Sequence, residues 1–205
     1  MNYEILFGFV SAVGLLAISP GPDNIFVLMQ SVVYGRKYGL ATIAGLMTGC
    51  IIHTTLVAFG VSAIIKENES VFLGIKIAGA AYLAFLAYKV LRSSSDIAMD
   101  GDSVQKKTPM QLFQAGFLMN VLNPKVTIFF LALFPGFLFS ETLSEVVQFY
   151  VLGGLFILTS TVIFSAIALL GGSISEQIRQ SQRIGVVLKW LQVVVFIGIA
   201  VFILI

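Results

Sequence analysis

The stretch Ser19-Pro20-Gly21-Pro22-Asp23-Asn24 interrupts a long apolar segment with two prolines, a glycine and a carboxylate. Each proline lacks a backbone N–H and clashes with the carbonyl four residues earlier. A helix that arrives from Ile5 must therefore stop here, and a second half-helix must start beyond it. At membrane depth, the freed backbone groups and Asp23 would need partners inside the protein or in a wet cavity. We therefore expect a functional site at this break.

The composition of the chain is that of an integral membrane protein. Of its 205 residues, 58% are hydrophobic and 11% are charged, whereas charged residues make up about 25% of soluble domains. Helices of roughly 20 residues span a hydrocarbon core of about 30 Å. The sequence predicts an all-α protein with six such transmembrane helices, at residues 5–34 (broken at 19–24), 40–65, 71–91, 112–139 (broken at 123–125), 146–170 and 186–205.

The distribution of lysine and arginine predicts the orientation in the membrane. Nine of the twelve cations lie in or beside the first, third and fifth connections, and one lies in the even connections. The positive-inside rule therefore places loops 35–39, 92–111 and 171–185 in the cytoplasm and both termini outside. The N-terminus lacks the cationic region of a cleaved signal peptide, so we expect the first segment to remain in the protein.

A polar linker at 93–109 divides the segments into residues 1–92 and 110–205, with three helices in each half. Because three is odd, two similar halves joined in this way have opposite orientations, as in the inverted repeats of many transporters. The second half is interrupted by Asn123-Pro124-Lys125, after about 11 apolar residues, and the first half after about 14. Both helices 1 and 4 are thus predicted to break near the bilayer middle, and such paired breaks indicate a central binding site.

Two charges lie at the starts of the restarted half-helices. Asp23 follows Pro22 in a first turn, where it either caps free N–H groups or has a function that justifies its membrane depth. Lys125 follows a capping Asn123 and Pro124 at the first helical position, at the positive end of the helix dipole. This position predicts an anionic partner, either Asp23 or a substrate carboxylate, unless the lysine snorkels toward the cytoplasm.

His53 shares a helix face with Gly45 and Gly49, which precede it by eight and four residues. Two glycines at this spacing let another backbone approach closely. If that neighbour is the broken first helix, His53 faces the break and can carry protons. The alternative is a neutral histidine bonded to a carbonyl or a threonine. Whether the glycine faces serve contacts within one chain or in a homo-oligomer stays open.

Other polar residues of the apolar segments either line a cavity or join helices, and the sequence does not distinguish the two roles. These residues are Asn24, Asn120, Asn123, Thr127 and Thr159 to Thr161.

Some motifs are absent from the sequence. No glycine-rich phosphate loop with a lysine is present, so no ATPase motor is encoded. One histidine and one cysteine leave no cluster with metal-ligand spacing, and we expect no metal, cofactor or nucleic-acid partner.

Four motifs of the chain form a recognisable set. They are Ser19-Pro20-Gly21-Pro22-Asp23, Gly45-Leu-Met-Thr-Gly49-Cys-Ile-Ile-His53, Gly79-Ala-Ala-Tyr82-Leu-Ala-Phe-Leu-Ala-Tyr88 and Phe117-Leu-Met-Asn120-Val-Leu-Asn123-Pro124-Lys125. Together they resemble the lysine exporter (LysE/RhtB) superfamily, and within it the homoserine/threonine branch. The likeness covers nearly the whole chain except the linker at 93–109. It implies an inner-membrane exporter of amino acids or their derivatives that exchanges them for protons, and the direction of transport comes from this resemblance alone.

The sequence thus predicts a proton-coupled amino-acid exporter in the lipid bilayer, not an enzyme. Asp23 would hold the substrate ammonium or the coupling proton. N–H groups near Asn24 and Thr127, with Lys125, would hold the substrate carboxylate. Two other classes remain open: a membrane-embedded enzyme that uses Asp23 and His53 as acid and base, and a non-catalytic scaffold.

Overall fold

The computed structural model describes residues 2–19, 21–61, 69–93, 107–180 and 182–205. The elements in these ranges are helical, which confirms the predicted all-α membrane class. Pro20, which was predicted to help break the first helix, lies outside the described residues, as does most of the predicted linker.

Eight α-helices follow one another along the described chain. Helix α3 continues as a π-helical turn at Val57–Val61. Helix α6 continues as a π-helical turn at Phe129–Leu133 and a 3-10 turn at Phe134–Phe137. The helices are α1 (Tyr3–Ile18), α2 (Pro22–Tyr34), α3 (Arg36–Leu56), α4 (Glu69–Arg92), α5 (Pro109–Val121), α6 (Pro124–Ile128), α7 (Glu145–Gln180) and α8 (Gln182–Leu204).

Local sequence explains where several of these helices begin. The side chain of Asn2 caps α1 by accepting from the backbone N–H groups of Glu4 and Ile5. At the start of α5, Thr108 and Gln111 form a capping box, in which each side chain accepts from the other residue's N–H. Gly35 joins α2 to α3 with a φ of 101°, a conformation that residues with a Cβ rarely adopt.

Four helices are long and apolar enough to cross a membrane as single spans, at Arg36–Gly60, Ser70–Arg92, Glu145–Gly171 and Val186–Leu204. Two further spans arise if each bent pair is taken as one. Helices α1 and α2 meet at 60°, and α5 meets Pro124–Phe137 at 50°. By length and composition, the described chain therefore holds four to six spans, and the upper number is the one predicted.

The breaks themselves are shorter than predicted. Helix α2 already begins at Pro22, so Asp23 and Asn24 belong to its first turn. In the second half the break lies at Leu122 and Asn123, not at 123–125, because Pro124 begins α6. Proline suits the first position of a helix, where its missing N–H would have no helical partner anyway.

The predicted loops at 35–39 and 171–185 are largely helical, so these boundaries were wrong. Arg36 begins α3, α7 continues to Gln180, and α8 begins at Gln182. Hydropathy detects only the apolar part of a helix, whereas glutamate, glutamine and arginine beyond it are themselves good helix formers.

The packing joins helices from the two halves of the sequence. Helix α3 packs mainly against α5, α7 packs against α1 and α2, and α4 packs against α8, while α3 also contacts α7. A cluster of buried phenylalanines fills the interior beside the breaks. Phe130 stacks on Phe134 with ring centroids 4.2 Å apart, and Phe9 meets Phe134 edge-on at 5.1 Å. These aromatic contacts fix the irregular turns that follow α6.

Candidate functional site

The first break is closed by a side chain from the helix that follows it. The amide nitrogen Nδ2 of Asn24 donates to the carbonyl of Ala17 at 2.7 Å. This carbonyl belongs to the last turn of α1, where helical partners are missing. Asn24 therefore replaces a backbone hydrogen bond that the break removes. Its neighbour Asp23 is the acidic residue in the first turn of α2.

The second break is closed by Asn123, in the role that the sequence predicts. Its Oδ1 accepts from the N–H of Lys125 at 3.0 Å, and Pro124 occupies the first helical position. The carbonyl of Asn123 accepts from the N–H and from the hydroxyl of Thr127, at 3.1 and 3.2 Å. The prediction of a free N–H group near Thr127 is therefore wrong, because this N–H group already donates to the carbonyl of Asn123 in the first turn of α6.

The two breaks are joined through one hydrogen bond. Nδ2 of Asn123 donates to Oδ2 of Asp23 at 3.1 Å, so the cap of the second half-helix also holds the carboxylate of the first. The ammonium of Lys125 lies 4.8 Å from the centre of the Phe196 ring, in a cation–π contact. It also lies beside Gly21, 3.6 Å from the place that a Cβ would occupy there.

Asp23 and Lys125 line the same small cavity, together with three of the predicted polar residues, Asn24, Asn120 and Ser160. Its volume is about 40 Å³, which holds a few water molecules but is far below the roughly 300 Å³ of small-molecule pockets. The cavity is therefore much smaller than a typical small-molecule site. The rest of the lining is Leu16, Ala17, Leu46, Met47, Cys50, Val126, Phe156 and Phe164.

Asn120 connects this cavity to His53. Its side chain is 4% exposed, and its Nδ2 donates to the sulfur of Cys50 at 3.4 Å. Its Oδ1 is buried without a hydrogen-bond partner among the described residues. The backbone carbonyl of Asn120 lies 3.1 Å from Nε2 of His53. Since a carbonyl can only accept, Nε2 of His53 carries the proton in this bond.

Gly45 and Gly49 provide the predicted close approach, but to a different helix. A Cβ on Gly45 would collide with the backbone carbonyl of Phe113, and one on Gly49 would lie 2.6 Å from Oδ1 of Asn120. The neighbour is therefore α5, the first half of the broken fourth segment, and not the broken first helix. His53 accordingly faces the end of α5.

The structure thus divides the predicted site residues into two groups. Asp23, Asn24, Asn120 and Lys125 line the cavity, whereas the other predicted residues do not: His53 and Asn123 each bond to a lining residue, and Thr127 bonds to Asn123. Sequence reasoning missed Cys50 as a lining residue, although it follows Gly49 directly. Among the described residues, no three His, Cys, Asp or Glu side chains come together as a metal site.

Comparison with known proteins relates the chain to a family of translocators. The family model for the LysE type translocator matches residues 15–205. The homoserine/homoserine lactone efflux proteins of Salmonella typhimurium and Salmonella typhi are each 31% identical over 179 residues, covering 87% of this chain and 86% of the relative. The uncharacterized membrane protein YrhP of Bacillus subtilis is 30% identical over 141 residues, covering 65% of this chain and 67% of its own. No solved structure matches. From the extent of these matches, the chain belongs to the LysE type translocator family.

Proposed function

We propose that the chain is a secondary transporter that exports an amino acid or an amino-acid derivative from the cytoplasm in exchange for protons. The observation that carries this proposal is the cavity that both broken segments share, with a carboxylate from one and an ammonium from the other. An amino acid is a zwitterion of the same two charges. The cavity therefore offers a complementary group for each end of such a substrate.

In the proposed complex, Lys125 holds the substrate carboxylate and Asp23 holds the substrate ammonium. The start of α2 adds backbone N–H groups near Asn24 and the positive end of a helix dipole, which favour an anion. Asp23 also takes the coupling proton, so that substrate and proton displace each other. Asn123 keeps the two halves of the site in register through its bond to Asp23.

The packing pattern supports an inverted repeat. In such a repeat, α3 corresponds to α7, and α1 with α2 corresponds to α5 with α6. The contact of α3 with α5 then mirrors that of α7 with α1, while the α3–α7 and α4–α8 contacts pair equivalent helices. Alternating access in such folds moves one bundle against the other around a fixed central site. The small cavity is compatible with one state of this cycle.

Direction and location complete the proposal. The Salmonella relatives are named efflux proteins, which supports export. The charge distribution supports cytoplasmic odd-numbered connections and outward termini in the inner membrane. Homoserine and its lactone, named for those relatives, are the first substrates to test.

The test is counterflow of labelled homoserine, threonine and other amino acids in proteoliposomes, with and without a proton gradient. The wild-type protein should accumulate at least one of them unchanged. Asp23→Asn and Lys125→Gln should each reduce its transport more than tenfold, because each removes one of the two charges. Glu141→Gln and Lys89→Gln are matched controls that neutralise charges outside the cavity and should transport normally.

Three outcomes would overturn the proposal. Wild-type rates in Asp23→Asn or Lys125→Gln, at equal amounts of folded protein, would remove that residue from the site. A chemically altered product would indicate an enzyme. Absence of counterflow for every amino acid, together with harmless neutral replacements in the cavity, would indicate a scaffold.

A further inference from the structure

An apolar crevice with a single lysine opens between α4, the irregular turns after α6, and the end of α8. Its volume is about 300 Å³, within the range of small-molecule pockets. Lys76 of α4 is the one charged side chain among the described residues that line it. The other lining residues are apolar: Phe72, Ala132, Leu133, Pro135, Gly136, Phe202, Ile203 and Ile205.

A second apolar crevice of about 390 Å³ lies between α1 and α8. Gly8 and Ala12 line it from α1, and Leu191 and Gly198 line it from α8. Leu133 and Phe202 line both crevices, so the two form one groove that Phe202 divides. This groove offers a separate apolar crevice on each side of Phe202.

The groove is long enough to hold the acyl chains of one leaflet of a bilayer. Along α8 it reaches from Ile205 to Leu191, about 21 Å at the helical rise, whereas half of the hydrocarbon core measures about 15 Å. Lys76 lies at the same end of the bundle as Ile205, seven residues after Glu69 begins α4. Helical side chains lean toward the N-terminus, so the ammonium of Lys76 extends toward the polar surface at that end.

We propose that this groove binds one anionic phospholipid, whose phosphate pairs with Lys76 and whose two acyl chains lie on either side of Phe202. Charge complementarity selects the headgroup, because Lys76 is surrounded by apolar side chains and a phosphate is the anion that the membrane surface supplies. The apolar lining of both crevices favours the acyl chains of the lipid. This site is separate from the central cavity, with which it shares no lining residue, and it does not depend on the transported substrate.

The test is native mass spectrometry of the purified full chain, titrated with phosphatidylglycerol and phosphatidylcholine that carry the same acyl chains. The wild-type protein should retain one phosphatidylglycerol and bind it about fivefold more tightly than phosphatidylcholine, the effect of one cation near an anionic headgroup. Lys76→Gln should abolish this preference, and Lys76→Arg should preserve it.

A second pair of variants tests the acyl-chain crevice. Nothing lies within 4 Å of a Cβ placed on Gly198 or on Gly74, so neither position opposes a larger side chain locally. Gly198→Leu fills the second crevice and should weaken binding of both lipids, whereas Gly74→Leu, outside both crevices, should not. Equal wild-type affinity for the two lipids, a preference retained by Lys76→Gln, equal effects of the two leucine variants, or a lipid-free dimer that covers the groove would each overturn the proposal.

Discussion

Nδ2 of Asn123 lies 3.1 Å from Oδ2 of Asp23, so the residue that caps one broken segment also orients the carboxylate of the other. Both ends of the Asn123 side chain are used, since its Oδ1 accepts from the N–H of Lys125. The two breaks are therefore linked through this side chain. This link makes Asn123 the residue at which capping and site geometry can be separated experimentally.

Asn123→Asp should retain the cap and lose the link. Aspartate caps a helix as well as asparagine, but it places a second carboxylate against Asp23 and removes the donor. We expect transport to fall at least tenfold with little loss of thermal stability, measured by counterflow and by unfolding in detergent. Asn123→Ala should lose both functions and unfold at a lower temperature. Normal transport by Asn123→Asp would show that the link has no role.

The contact between α3 and α5 should be intolerant of a single methyl group. Gly45→Ala would place a Cβ against the backbone carbonyl of Phe113, which cannot move aside as a side chain end can. Overpacking of this kind costs about 1 to 3 kcal/mol, so the unfolding temperature should fall. Gly154→Ala is the matched control, because nothing lies within 4 Å of its Cβ. It should leave the temperature unchanged or raise it, since alanine favours a helix more than glycine.

Features that depend on neighbours in sequence could be predicted well. The cap at Asn123, the first helical position of Pro124 and the first-turn position of Asp23 all follow from local backbone chemistry. Hydropathy alone predicted six spans, the upper end of the four to six that the described helices allow. Helix ends such as Gln180 could not be predicted in this way, because polar helical turns beyond the membrane carry no hydropathy signal.

Features that depend on which helices meet could not be derived from local chemistry. Helical spacing placed Gly49 and His53 on one face, yet it could not specify that α5 would pack there instead of the broken first helix. The contact of Asn120 with Cys50 joins residues 70 positions apart. The stacking of Phe130 on Phe134 depends on the π-helical turn between α6 and Phe134, for which the sequence has no recognised signal.

Gln148 should hold in place the segment at residues 138–144, which precedes α7. Its side chain is 2% exposed and makes four hydrogen bonds to backbone groups of Phe139, Ser140 and Leu143. The carbonyl of Phe139 also accepts from the N–H of Asn2, which ties the start of α1 to the same segment. Gln148→Leu keeps the approximate size of the side chain and removes all four bonds. We expect a loss of about 3 kcal/mol.

Hydrogen exchange can localise that effect. In Gln148→Leu, the N–H groups of Phe139 and Ser140 should exchange much faster, whereas helix α3 should remain protected. As a control, Thr142→Val changes a polar side chain on the same segment without touching Gln148, and it should leave the exchange of these two groups nearly unchanged. Unaltered protection in Gln148→Leu would show that other contacts hold the segment.

His53 either carries protons or holds the end of α5 at the second break, and substitutions can distinguish these two roles. Its side chain is 3% exposed, does not line the cavity, and donates from Nε2 to the carbonyl of Asn120. Glutamine places an amide nitrogen near the position of Nε2 and does not titrate.

If His53 acts by holding the end of α5, His53→Gln should keep at least half of the wild-type transport and its dependence on the proton gradient. His53→Leu should lose about 1 to 2 kcal/mol of stability, because it leaves a buried acceptor with one partner fewer. We expect His53 to have this supporting role, since Asn120 also lines the cavity and a shift of α5 would move Asn120. Transport by His53→Gln that no longer responds to the gradient, in protein as stable as the wild type, would instead identify His53 as the proton carrier.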